Sequence, residues 1–245
     1  INARAVAEHI GTDHHELIIS TEDALTALEN VIYHIETFDV TTIRASVPMY
    51  LLAQKMSSMG IKCALSGEGS DEIFGGYLYF RNTTDPAVFH KECVRLVKNL
   101  YMFDCLRSHK SCLAHSLEVR TPFLDMSFVN YVMNMDPIYK TCSSNIEKYI
   151  LRNCVPDGML PPNVLWRQKE QFSDGVGYEW IEKLKETSNA SSQLSNEEEY
   201  YFNIFKRLFN EESCKDVSER WKPKWSNTHD PSGIKIQHHV SNVMV

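Results

Sequence analysis

The chain lacks any long apolar run. No stretch approaches the roughly 18 consecutive apolar residues that suggest a membrane span, and Ile1-Asn2-Ala3-Arg4 has no signal-peptide apolar core. The expected location is therefore cytoplasmic. A basic stripe is also missing: 25 Lys and Arg stand against 32 Asp and Glu, for a net charge of −7. Nucleic acid and anionic membrane are poor partners for such a surface, although small anions remain open as local ligands. The seven cysteines, at 63, 93, 105, 112, 142, 154 and 214, stand singly, with no C-x-x-C pair and no histidine at zinc spacing. They read as reduced, structural thiols. The pairs His14-His15 and His238-His239 lack the i, i+4 spacing of a helical metal site. There is no internal repeat, and a first residue other than Met suggests a fragment or a processed product.

What is present is an ordinary globular composition, 43% apolar and 23% charged over 245 residues, enough for one large domain or two small ones. Its most distinctive stretch runs from Ala64 to Gly76, Ala-Leu-Ser-Gly-Glu-Gly-Ser-Asp-Glu-Ile-Phe-Gly-Gly. Four glycines and three acids behind a short apolar run make a poor core and a plausible polyphosphate site. Ile61 to Leu65 reads as a short buried strand that ends at Ser66-Gly67, where open α/β sheets present their ligand crevice. Glycines let backbone N–H groups approach oxyanions closely. Glu68, Asp71 and Glu72 cannot attract phosphate themselves, but they suit Mg²⁺, a hard cation that takes oxygen donors and bridges to phosphates. The competing reading is an acidic, glycine-rich surface turn.

Along the chain, Ala3 to Ile10 reads as a helix stopped by Gly11, and His15 to Ile19 as a strand. Ser20 and Thr21 offer caps for a helix whose apolar positions Leu25, Leu28, Val31, Ile32 and Ile35 recur at helical spacing. A further helix is expected from Ala45 to Met59. The order helix, strand, helix, helix, strand fits part of a parallel, doubly wound sheet. Beyond Gly76 helices dominate, in segments Phe89 to Ser108, Met126 to Met135 and Asn145 to Arg152, with Pro122 interrupting the middle. Thr187 to Glu199 reads as a flexible loop, a short helix follows to Phe209, and the tail is irregular. The expected division is a partial nucleotide-binding α/β region at 1–85, a helical region at 86–186, and a loop, short helix and irregular tail at 187–245.

Ser66-Gly67-Glu68-Gly69-Ser70-Asp71-Glu72 resembles the second signature of the synthetase domain of glutamine-hydrolysing asparagine synthetases. Three further segments resemble that family in the same order: Glu36 to Ser46, Glu118 to Asp125 and Trp166 to Tyr178. So does the tail from Trp221-Lys222-Pro223-Lys224-Trp225 to Asp230-Pro231-Ser232. The resemblance covers nearly the whole chain. It implies an ATP-pyrophosphatase-type, adenine nucleotide alpha hydrolase-like fold, here truncated, with a largely helical C-terminal half. It also implies a ligase that uses ATP and Mg²⁺ to adenylate the β-carboxylate of aspartate, releases pyrophosphate, and lets ammonia derived from glutamine displace AMP.

Carried over by position, the resemblance implies that Ser66 and Gly67 contact the nucleotide and Glu68 serves formation of the aspartyl-adenylate. Asp71 and Glu72 would hold Mg²⁺, although both also suit the start of a following helix. Lys169 would face the acyl-adenylate and pyrophosphate, where a compact ammonium can follow charge developing on oxygen. Thr41, Thr42, Arg44 and Ser46 fall on a segment linked to aspartate handling, in which Arg44 could grip a carboxylate with two bonds; a helix start with threonine caps is the alternative. Asp104 and Arg107 are substrate-side candidates that could equally form an i, i+3 surface pair. Trp221 and Trp225 suit packing better than base stacking.

The family's Ser-Gly-Gly-x-Asp-Ser phosphate loop and its N-terminal glutaminase domain, which starts on a cysteine nucleophile, are not among these 245 residues. The stretch from Glu186 to Tyr200 is also shorter than the family usually shows. A non-catalytic synthetase-like or partner-binding module is therefore the second reading. A β-lactam-forming synthetase is a third, opposed by the segments at Glu36 and Trp166. A homodimer is compatible with all three. The 245 residues alone are expected to bind ATP weakly or not at all and to form no asparagine; an assay for ATP- and ammonia-dependent asparagine formation checks this.

Overall fold

Four of the described helices start on short polar side chains that take up the free N–H groups of a first turn. The computed structural model describes residues 2–142, 146–170, 197–210, 212 and 219–225. Their elements, in order, are α1 (Asn2–Ile10), α2 (Thr21–Ile35), α3 (Val40–Ser58), β1 (Cys63–Leu65), α4 (Ser70–Phe74), α5 (Pro86–Asn99), α6 (Asp104–Leu113), β2 (Glu118–Arg120), α7 (Met126–Asn134), α8 (Tyr149–Asn153), α9 (Pro162–Leu165) and α10 (Glu197–Leu208). Ser20 and Asp23 cap α2 reciprocally, Asp39 caps α3, Asp85 caps α5 ahead of Pro86, and Asp125 caps α7. No helix among the described residues is long and apolar enough to cross a membrane. The six described cysteines are all free thiols.

The chain divides into two compact units, and both strands of the small sheet lie where the chain passes from one to the other. One unit comprises Ile19–Ala64, Tyr101–Val119 and Gln171–Val245. In it α3 packs against α2 and α6, and α10 packs against α2 and α3. The buried stripe Ala24, Ala27, Leu28, Val31, Ile32 and Ile35 of α2 meets Ile43 and Val47 of α3 and Tyr201, Ile204 and Phe205 of α10. Each fully buried aliphatic side chain of this kind contributes about 1.5–3 kcal/mol.

Arg44 lies inside the same unit, donating from Nε and Nη2 to the Glu197 carboxylate at 2.9 and 2.6 Å. The two side chains are only 4% and 7% exposed, and the Tyr201 hydroxyl adds a hydrogen bond to Glu197 at 2.7 Å. The fork-to-carboxylate geometry makes this a strong pair, but its larger consequence is that neither charge can be left alone.

The other unit comprises Ile1–Ile18, Leu65–Leu100 and Arg120–Glu170. Its short α4 packs on α5 and α7, burying Ile73 and Phe74 with Val132. Phe80 and Phe89 meet with ring centroids 4.8 Å apart. At the end of α4 the chain turns at Gly75, where φ is +63° and a Cβ would lie 2.2 Å from Phe89 Cζ.

The doubly wound sheet expected from the sequence is not what the described residues form. They are mostly helical, with one parallel pair of short strands, β1 and β2, joined by Glu118 N–H to Lys62 O and Ser66 N–H to Arg120 O. His15–Ile19 is irregular rather than a strand: it alternates in burial, but Ile18 is 90% exposed, and among the described residues no neighbouring strand supplies a ladder. β1 begins at Cys63 instead of Ile61 and is not buried, since Leu65 is 75% exposed. α3 begins at Val40, five residues before the expected Ala45, because the Asp39 carboxylate captures the Thr42 N–H and carries Pro48 into the helix interior. The expected helix from Phe89 to Ser108 is broken into α5 and α6 by a 3-10 turn at Leu100–Met102. Glu197–Glu199 open α10 rather than ending a loop. Residues 187–196 of the expected loop, Gln171–Tyr178, Cys214, Asp230-Pro231-Ser232 and His238-His239 lie outside the described residues.

Replacing Glu197 by Ala is expected to lower unfolding free energy by about 3–5 kcal/mol, because it removes the carboxylate that faces a buried guanidinium. Joint replacement of Arg44 by Met and Glu197 by Leu should recover most of that loss. Urea denaturation measures both, and a Glu197→Ala loss below about 1 kcal/mol would mean that the pair is effectively solvated.

Candidate functional site

The Ser66–Gly76 run leaves β1 and turns at once into α4. Ser66 continues the ladder through its N–H to Arg120 O at 2.8 Å, and its Oγ accepts the Glu68 N–H at 3.3 Å. Gly67 is exposed, with nothing within 4 Å of the place a Cβ would occupy. Gly69 takes φ +91°, and a Cβ there would lie 2.3 Å from Leu124 Cδ2. No other residue type fits both the backbone conformation and the space. The first turn of α4 then carries Asp71 and Glu72.

Asp71 is the centre of the site. Its Oδ1 lies 2.7 Å from Lys148 Nζ and its Oδ2 3.3 Å from Lys169 Nζ. Burial alone would push the Asp71 carboxyl up, but the Lys169 and Lys148 charges outweigh burial and hold it below the ordinary carboxylate value. Gly76 closes over this group: a Cβ would stand 2.0 Å from Asp71 Oδ1 and 2.9 Å from Lys148 Cδ. Lys169 Nζ also donates to the Glu170 carbonyl and lies 5.9 Å from the centre of the Tyr77 ring. The Tyr77 hydroxyl in turn donates to Glu72, whose side chain is buried.

Behind the lysines stands Glu147, 1% exposed. Its carboxylate accepts from Arg81 Nη2 at 2.6 Å, from Arg152 Nη2 at 3.3 Å and from the backbone N–H of Lys169 at 2.5 Å. Arg152 is tied further, donating to the carbonyls of Glu147 and Leu165.

Of the residues singled out by sequence, Ser66, Gly67, Glu68, Asp71, Glu72 and Lys169 all fall in one unit, and Asp71 and Lys169 are in direct contact. Thr41, Thr42, Arg44, Ser46, Asp104 and Arg107 fall in the other. Thr42 donates from N–H and Oγ1 to the Asp39 cap, Ser46 Oγ donates to Thr42 O, and Arg44 is engaged by Glu197. Thr41 Oγ1 is buried without a hydrogen-bond partner. Arg107 donates to Asp104 Oδ1 from Nε at 3.0 Å and from Nη2 at 2.7 Å. At 8% and 18% exposed, that pair is not a surface one. Trp221 is buried as expected of a packing residue, and its N–H reaches Asp39.

Sequence reasoning missed Lys148, Glu147, Arg81 and Arg152. They carry no spacing signal, because the chain must fold before residues 71, 81, 147 and 169 become neighbours. Among the described residues, no group of three or more His, Cys, Asp and Glu side chains stands together as a metal cage. Mg²⁺ needs only one or two protein carboxylates when phosphates and water supply the rest. Asp71 is paired with Lys148 and Lys169, and Glu72 accepts the Tyr77 hydroxyl.

The family model for asparagine synthase matches residues 1–87 and 81–237. A probable glutamine-hydrolyzing asparagine synthetase of Dictyostelium discoideum is 48% identical over 267 residues, which cover 98% of this chain and 48% of that protein. Glutamine-hydrolyzing asparagine synthetase 1 of Saccharomyces cerevisiae is 47% identical over 98% of this chain and 47% of that protein, and its counterpart from Lotus japonicus is 46% identical over 94% and 45%. The chain spans about half the length of the curated relatives it matches. With two matched segments that together reach from residue 1 to residue 237, the chain belongs to the asparagine synthase family.

Proposed function

We propose that this chain carries the acyl-activating half of an ATP-dependent amide ligase, which converts aspartate to asparagine through a β-aspartyl-adenylate. The observation that carries this reading is the convergence of Lys148 and Lys169 on Asp71 at the end of a glycine-rich turn. The carboxylate oxygen of aspartate attacks the α-phosphorus of ATP, and the bond to the bridging oxygen breaks, releasing pyrophosphate. Ammonia then attacks the acyl carbon, AMP departs with the bonding pair, and a proton is lost. Ammonia would come from glutamine hydrolysed elsewhere in the protein.

A carboxylate is a poor electrophile, so the protein's work is to hold two anions together and to stabilise the leaving group. Lys169 and Lys148 supply two ammoniums where charge develops on the leaving oxygen. In their present arrangement Asp71 takes the place of that anion, keeping the lysines paired and positioned. The open backbone at Gly67 lets a nucleotide approach the Ser66–Glu68 turn, and Glu68 stands beside it as the acid that serves adenylate formation. Asp71 and Glu72 are the side chains that would hold Mg²⁺, which would supply positive charge to offset part of that on the phosphates.

The full polypeptide carrying this chain, supplied with ATP, Mg²⁺, aspartate and ammonia, should yield asparagine, AMP and pyrophosphate in equal amounts. Aspartate-dependent exchange of labelled pyrophosphate into ATP should proceed without ammonia. Lys169→Ala should slow that exchange about 10²–10³-fold, the usual cost of losing one positioned donor to developing negative charge. Glu68→Gln should abolish exchange and leave glutamine hydrolysis intact. Formation of ADP and phosphate instead would overturn the adenylate.

The same charge balance sets an acid dependence. The carboxyl of Asp71 is held below its unfolded value of about 3.9, so its contribution to stability is complete above that pH and is lost as pH falls through its lower folded value. Asp71→Asn should therefore lower the melting temperature at pH 6 and flatten its decline between pH 4 and pH 2, as thermal unfolding across that range would register. An unchanged slope would mean that Asp71 does not carry the acid sensitivity.

A further inference from the structure

We infer that Glu147 is a positioning residue for Lys169, fixing the backbone from which that lysine reaches Asp71. The inference rests on the reading above, in which Lys169 serves the departure of pyrophosphate. A carboxylate 1% exposed is costly to bury unless each of its oxygens is well partnered. Glu147 is partnered by three donors of different origin: Arg81 at 2.6 Å, Arg152 at 3.3 Å and the Lys169 N–H at 2.5 Å. The third is the informative one. Residues 168–170 belong to no helix or strand, so the Lys169 N–H has no regular backbone partner, and a buried side chain takes that part.

Lys169 is thereby held at both ends, its backbone by Glu147 and its ammonium by Asp71. Arg152 braces the same frame by donating to the carbonyls of Glu147 and Leu165, the latter four residues before Lys169. Glu147 directly precedes Lys148, the other cation on Asp71, but the backbone that its carboxylate anchors is that of Lys169. A misplacement of about 1 Å in a reacting geometry can cost on the order of 10²-fold in rate, which is why a residue that touches no substrate can govern turnover.

Two substitutions separate positioning from mere charge balance. Glu147→Gln leaves one acceptor oxygen for three donors and turns an amide NH₂ toward a guanidinium, while Glu147→Asp keeps the charge but withdraws the carboxylate by one methylene. In the full polypeptide, both should lower the rate of aspartate-dependent pyrophosphate exchange about 10–100-fold, the usual cost of losing a group that orients a reacting one. The aspartate KM should stay within about twofold. In a Lys169→Ala background the further loss should be under about threefold, because both changes would then act through one group. Hydrogen exchange at the Lys169 amide should accelerate in both variants.

Losses that multiply in the double variant, or an Asp variant with full exchange activity, would overturn the proposal and leave Glu147 a charge partner for folding. If the Gln variant does not fold, the Asp variant and its Lys169→Ala double decide the question alone. If Lys169→Ala itself exchanges normally, the functional reading fails; the amide measurement then still tests whether Glu147 holds Lys169, and unchanged protection there would refute it.

Discussion

A buried carboxylate must find countercharge, and Asp71 finds it in two lysines from distant stretches of the chain. Much of the surrounding unit can be understood as what that arrangement requires. Gly76 must be without a Cβ, because the space a Cβ would need is filled by Asp71 Oδ1. Gly69 must turn with positive φ so that α4 begins beneath Leu124 and directs Asp71 inward. Lys148 itself adopts the left-handed region at φ +54°, a conformation that costs a non-glycine residue free energy and persists only where its surroundings impose it. The benefit is preorganisation: the rotamer freedom of two long side chains is surrendered on folding rather than when a ligand arrives.

The α3 segment shows how the same chemistry can be turned inward. An Arg fork that could grip a substrate carboxylate grips Glu197, with the geometry a free carboxylate would use. Thr42 and Ser46 likewise direct their hydroxyls to the Asp39 cap and to a backbone carbonyl. The resemblance placed these residues on a segment linked to aspartate handling, and the hydrogen bonds of Thr42, Arg44 and Ser46 seat α3 and α10. Thr41, whose hydroxyl is buried without a partner, is the member of the segment still able to accept or donate a bond.

Local signals were read well where the determinant is local. The Ser20 cap, the stripe of α2, the stop at Gly11 and the α7 segment follow from periodicity and short-range capping, and the helices match to within a few residues. The α3 boundary failed because the local cap at Asp39 went unread, and the strand at His15–Ile19 failed because it needed a neighbour that sequence cannot display. The site was legible in its glycine-rich half and in Lys169, because those residues stand in long ordered motifs. Glu147 and Arg152 were invisible because their significance lies in contacts across sequence separations of 22 and 13 residues.

Net charge was a weak guide here for a similar reason. The chain carries −7 overall, which speaks to long-range attraction of extended polyanions and to solubility. Inside a Debye length of about 8–10 Å, the geometry of a few side chains decides instead. Around Asp71 and Glu147 the fold gathers Arg81, Lys148, Arg152 and Lys169, four cations from a chain with no basic stripe. Two of these cations meet Asp71, and the other two are taken up by Glu147. Each carboxylate thus faces two cations, so one positive charge is in excess at each, and at Asp71 that excess rests on Lys148 and Lys169. A compact phosphate anion, which can approach both ammoniums at once, suits that excess better than a single carboxylate or an extended polyanion.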